Sequence, residues 1–150
     1  MEACGMLAEP DIVADVLGLR SARKRTTPFQ LISSIEAGLP VEAVERLAQA
    51  IAPSDAEFRH RFVPRATLAR RKNDPNARLT VGQSDRLARI AGIWAHAVRV
   101  WKEDEAARAF LFRPHPMLEG RRPIDAALGT ELGADLVDQI LGGLEYGSAV

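Results

Sequence analysis

Apolar residues recur at every third or fourth position along most of the chain, and alternating β-branched runs are absent. That period predicts helix throughout, because residues three and four apart share one helix face. A short first helix is expected from about Pro10 to Leu19. Thr27 before Pro28 supplies an N-cap and a proline at the first helical position, opening a helix through Leu31, Ile32 and Ile35 to Gly38. Pro40 opens the next, with Val41, Val44, Leu47, Ala48 and Ile51 on its stripe. Two capping-box sequences mark later starts, Ser54-Asp55-Ala56-Glu57 and Thr80-Val81-Gly82-Gln83. The second begins the longest expected element, which carries Leu87, Ile90, Ala91, Trp94, Val98 and Trp101 on one face. Glu103-Asp104-Glu105 starts another helix, its acids suited to the positive end of the helix dipole, and Arg113-Pro114-His115-Pro116 stops it. A loop at 121–123 leads into a short helix over 124–128. Thr130 caps a last helix whose core stripe is expected to be Leu132, Leu136, Ile140 and Leu144, widened by Val137 and Leu141.

Composition changes this picture little. At 47% hydrophobic and 27% charged residues in 150, the chain is globular rather than disordered. No apolar run approaches the roughly 18 residues of a membrane span. The first 20 residues carry acids where a secretory signal carries bases, and Cys4 is the single cysteine, so a cytoplasmic location without disulfides is expected.

Charge changes it more. Bases and acids number 20 each, yet residues 59–78 hold seven bases against Asp74 alone, a net +6. Residues 123–150 hold five acids and no base, a net −5. Such a division suggests two kinds of partner, or two solvated faces of opposite sign.

The basic stretch has the proportions of a helix-turn-helix, with helices expected at 54–60 and 64–72. In the second, Leu68 faces inward, while Arg65, Thr67 and Arg70 point outward among small residues that let a helix enter a major groove. Arg71 and Lys72 at its end suit either a phosphate or the helix dipole. Phe58 and Phe62 stand where such units usually carry alanine and glycine, which implies a wider turn or a unit turned structural.

Enzymatic chemistry finds no support. His60, His96 and His115 are far apart, no HExxH or CxxC spacing exists, and no glycine-rich loop joins a strand to a helix. A non-enzymatic protein without metal or cofactor is expected.

The ordered motifs carry a family resemblance. Thr67-Leu68-Ala69-Arg70-Arg71-Lys72 is followed by Arg78-Leu79-Thr80 and by Ser84-Asp85-Arg86-Leu87-Ala88-Arg89. Phe110-Leu111, Pro114-His115-Pro116-Met117-Leu118, Gly120-Arg121-Arg122-Pro123-Ile124-Asp125 and a terminal Glu145-Tyr146-Gly147 come next. Over residues 27–150 this order resembles the Xre/MbcA/ParS-type antitoxins, partners of RES-domain toxins. The resemblance implies an all-α protein with a partly flexible N-terminal extension (1–26) and an Xre-like helix-turn-helix domain (27–78). A long helix then joins that domain to a C-terminal toxin-binding domain (79–150). It implies operator binding as a homodimer with autorepression, through Arg65, Thr67, Arg70, Arg71 and Lys72. It also implies neutralisation of a NAD-consuming RES-domain toxin by occlusion, with Arg121, Arg122, Leu141, Leu144, Glu145 and Tyr146 as candidate contacts. Asp85 and Arg86 are read as structural, bridging the helix-turn-helix to the long helix. A stand-alone helix-turn-helix regulator, or an interaction module that no longer binds DNA, fits the residues as an alternative.

Overall fold

The computed structural model describes residues 10–19 and 25–147, and among these the secondary structure is helical, with a single isolated bridge between Pro40 and Arg78. The helices are α1 (Pro10–Leu17), α2 (Pro28–Ala37), α3 (Glu42–Ile51), α4 (Arg65–Arg71), α5 (Val81–Trp101), α6 (Asp104–Phe112), α7 (Pro123–Gly129) and α8 (Glu131–Glu145). Short 3₁₀ turns occur at Phe58–Arg61 and Pro116–Leu118. The expected arm at residues 21–26 lies largely outside the described residues.

Local hydrogen bonding sets the helix starts. Thr27 and Gln30 form a reciprocal capping box with Pro28 in the first turn, and Thr80 and Gln83 form another at the head of α5. Thr130 accepts from the Gly133 amide at 2.9 Å to cap α8. Gly38 ends α2 at φ 90°, and a Cβ there would meet the Leu79 carbonyl oxygen at 2.5 Å. Glycine is therefore required twice over at that position.

The capping sequence Ser54-Asp55-Ala56-Glu57 behaves differently. The helix expected over 54–60 is a turn followed by the 3₁₀ segment, because Asp55 rather than Ser54 takes the local cap, accepting from the Glu57 amide at 2.9 Å. Phe58 and Phe62 are both buried, with ring centroids 5.6 Å apart and edge to face. Phe58 also meets Phe112 of α6 at 6.1 Å. Two large aromatics demand more depth than alanine and glycine, and the first helix of the unit contracts to one tight turn around them.

Helix α5 is the centre of the molecule. From Leu87 to Ala97 it is buried on nearly every side apart from Arg89, rather than along the single stripe expected. Ala88, Ala91, Gly92, Ala95 and Ala97 keep its surface low, so that neighbours approach from several directions. Helices α1, α2 and α3 pack on one side, and α6, α7 and α8 on the other. The first helix is thus no appendage. Val13, Ala14 and Leu17 are fully buried against α3 and α5, so residues 10–17 of the expected N-terminal extension pack on the core.

The last helix is rotated from the face expected. Ala134, Val137, Ile140 and Leu141 are buried, whereas Leu132 is 78% exposed and Leu136 and Leu144 more than a third exposed. Gly133 explains the rotation, since a Cβ there would lie 2.1 Å from the Ala126 carbonyl oxygen of α7. That close approach fixes which side of α8 meets the rest of the protein.

Candidate functional site

The basic region presents α4 on the surface. Its N-terminus follows Val63 and Pro64, with Pro64 in the extended conformation that leads into a helix, and Leu68 is the inward anchor. Neighbouring carboxylates engage several bases around it. Arg59 pairs with Glu45, Arg65 with Glu57, and Arg61 with Asp125 at 2.8 Å. The Arg65 hydrogen bond holds the Glu57 carboxyl below its ordinary value. Arg71 donates to the Arg78 carbonyl at 3.1 Å and so ties the end of α4 to the start of α5. Thr67 is half-buried. Arg70 and Lys72 stand exposed and without an ion partner among the described residues. Of the five candidate DNA-contacting residues, these two are the open cations.

Between the two halves lies a network of which the sequence announced only the bridging role of Arg86. Arg86 of α5 donates to the carbonyls of Arg61, at 3.0 Å, and of Leu128, at 2.6 Å. Asp125 of α7 accepts from Arg122 at 2.7 Å and from Arg61 at 2.8 Å. The Arg122 hydrogen bond, assisted by Arg61, holds the Asp125 carboxyl well below its usual value against the effect of its partial burial. On the other side, Arg108 of α6 donates to the Ala50 carbonyl at 2.9 Å and lies 5.6 Å over the Trp94 ring. Arg86 does bridge the helix-turn-helix region to the long helix, and it reaches the C-terminal half as well. Asp85 pairs instead with Arg89, one turn along α5.

The candidate toxin contacts fall into three groups. Leu141 is fully buried and is a core residue, a correction that follows from the rotation of α8. Arg122 is held against Asp125 with its guanidinium 5.5 Å over Phe112, and Glu145 is bound inside the molecule. Arg121, Leu144 and Tyr146 are exposed, Tyr146 at 73%. Met117 and Leu132 add exposed apolar surface that the sequence reading missed. The signal was available: with Val137 and Leu141 inward, a period of 3.6 turns Leu132 and Leu136 outward.

Glu145 belongs to a partly buried charge cluster. His96 of α5 is buried, with Nδ1 2.7 Å from Asp138 and Nε2 3.3 Å from Glu145, both on α8. Arg99 pairs with the same Glu145 carboxylate. Burial opposes the charged imidazole, but the hydrogen bonds and charges of the two carboxylates outweigh it and raise its pKa above the ordinary value. Burial likewise opposes Glu145 ionisation, and Arg99 and His96 together lower its pKa. The cluster fastens the last turn of α8 to α5, immediately before Tyr146.

Among the described residues no group of His, Cys, Asp and Glu has the spacing of a metal site, and no helix is long and apolar enough to cross a membrane. The fold and its surfaces define a helix-turn-helix protein with a second helical binding half. Residues 30–92 match the family model of the antitoxin Xre-like helix-turn-helix domain, and residues 96–147 that of the antitoxin Xre/MbcA/ParS C-terminal toxin-binding domain. Antitoxin Xre of Yersinia enterocolitica (serotype O:8 / biotype 1B) is 30% identical over 119 residues, covering 78% of this chain and 79% of that protein. The chain belongs to the Xre family of antitoxins.

Proposed function

We propose that this protein neutralises a NAD-consuming RES-domain toxin by covering its active site, and represses its own operon by binding operator DNA as a homodimer in the cytoplasm. The observation that carries the reading is the tandem match of a helix-turn-helix domain and a toxin-binding domain on one chain, joined through α5. Occlusion requires shape and charge rather than chemistry, in keeping with the dispersed histidines. Arg70 and Lys72 are the first DNA contacts in this scheme. Arg71 and Arg65 are available to phosphates by exchanging their present partners, and Thr67 supports the helix from its half-buried position. Arg121, Leu144 and Tyr146 face the toxin, while Glu145 and Arg122 hold the surface in shape from within.

Co-expression with a RES-domain toxin, sought first in the adjacent reading frame, tests the reading directly. The expected result is co-purification of the two chains, preserved cellular NAD, and retardation of the operon's own promoter fragment by the complex. A complex that forms and protects cells but leaves the promoter fragment free would reduce the function to neutralisation alone. Retardation without any toxin complex would favour a stand-alone regulator.

A further inference from the structure

The end of α5, helix α6 and the last turn of α8 enclose a cleft of about 400 Å³. Trp101 and Phe110 form one wall, with ring centroids 5.9 Å apart and planes inclined by 34°. Ala109, Leu144, Arg113 and His115 line the cleft as well. Trp101 is 40% exposed and Leu144 37%, unusually open for side chains of this size beside a well-packed core.

Charge identifies the occupant. No carboxylate lines the cleft, although it lies in the half of the chain that is acidic overall. Asp104 and Glu105 are engaged by Arg108, and Glu145 by Arg99 and His96. Arg113 is exposed and has no ion partner among the described residues. His115 accepts the Met117 amide at Nδ1, 3.1 Å away, which places the proton of the neutral ring on Nε2 as a further donor. The cleft is therefore an apolar, aromatic socket with donors in its lining, and Leu144 stands two residues before exposed Tyr146.

Resting on the proposed neutralising role, we infer that this cleft is an anchoring point for the toxin. It receives one apolar or aromatic side chain of that partner, with a carboxylate close by in the partner's sequence to meet Arg113. A large side chain entering a desolvated aromatic pocket beside a charge-assisted pair has the composition of an interface hot spot. Tyr146 then closes over the seated side chain as part of the rim.

The test uses the full chain carrying Trp94→Phe, which leaves Trp101 as its only tryptophan, and a purified RES-domain toxin as the probe. Binding is expected to shift Trp101 emission to shorter wavelength and to shield it from acrylamide. In the otherwise unaltered chain, Trp101→Ala should weaken toxin binding by about thirtyfold and Arg113→Glu by at least about tenfold. Arg113→Lys should stay within about threefold of the parent. Both side chains are exposed enough for the variants to fold, which circular dichroism verifies. If the parent binds but its tryptophan emission is unmoved and the variants bind equally well, the cleft is not the anchor and neutralisation uses another face. If the parent does not bind at all, the neutralising role itself fails, and the anchor with it.

Discussion

The basic helix-turn-helix region and the acidic terminal helix are opposite in charge, and the molecule uses their residues in opposite ways. Around α4, charge that looks available in sequence is partly engaged within the chain: Arg59, Arg61 and Arg65 each meet a carboxylate, while Arg70, Lys72 and Arg78 stand exposed without an ion partner among the described residues. Along α8, apolar residues that look committed to the core are on the surface, while Asp138 and Glu145 are drawn inward to His96. A count of charges or of leucines thus misreports both binding faces. Their chemistry is set by what the neighbouring elements leave unsatisfied.

The largest test of this contrast lies on α8 itself. Leu141→Ala should lower unfolding stability by about 2–5 kcal/mol, whereas Leu132→Ala should change it by no more than about 0.5 kcal/mol. Urea denaturation distinguishes the two, and equal losses would place both side chains on one face. On the basic side, Arg70→Ala should weaken operator binding by about 1–3 kcal/mol if that side chain reads a base. Lys72→Ala should weaken all sequences alike and reduce the salt slope by about 1, as gel retardation across a salt series would reveal. Loss of specificity from the Lys72 variant instead would exchange the two roles. Thr80→Ala removes one half of the box at the head of the shared helix and should cost about 1 kcal/mol in the same urea experiment.

The smallest effect concerns pH. The raised His96 contributes stability that is complete below its unfolded pKa near 6.5 and is lost as pH rises through its higher folded value. Depressed Glu145 contributes stability that is complete above its unfolded value near 4.5 and is lost as pH falls through its lower folded one. The cluster therefore holds the tail of α8 best between those two limits. His96→Asn should abolish the decline on the alkaline side and leave the Glu145 limb, read from urea midpoints across pH. A decline of unchanged steepness in the variant would assign it to another group.

Helix starts were the most legible features. Thr27, Thr80 and Thr130 each cap through bonds to residues three positions on, so the local sequence contains the whole interaction. Ser54 failed as a cap because the burial of Phe58 and Phe62 decided that segment from a distance. The orientation of α8 depended on the approach of Gly133 to Ala126 and could not be settled by its own periodicity, which had enough apolar residues for two faces. Least legible was the network joining the halves, since Arg61 and Asp125 stand 64 positions apart and Arg86 and Leu128 stand 42 apart. The exposure of Arg70 and Lys72 could be anticipated because surface residues at an element's edge need few tertiary facts to be placed.

Helix α5 also bears on how the protein comes into being. Helices α1, α2 and α3 expose apolar faces whose cover is α5, and that helix begins only at Val81. A nascent chain paused before that point has a basic helix-turn-helix sequence and contacts between α1 and α3, but not the helix that completes the cover of Val13 and Leu17. The same helix is covered by α6, α7 and α8 as well, so the two halves share one central element and a change in α5 reaches both at once.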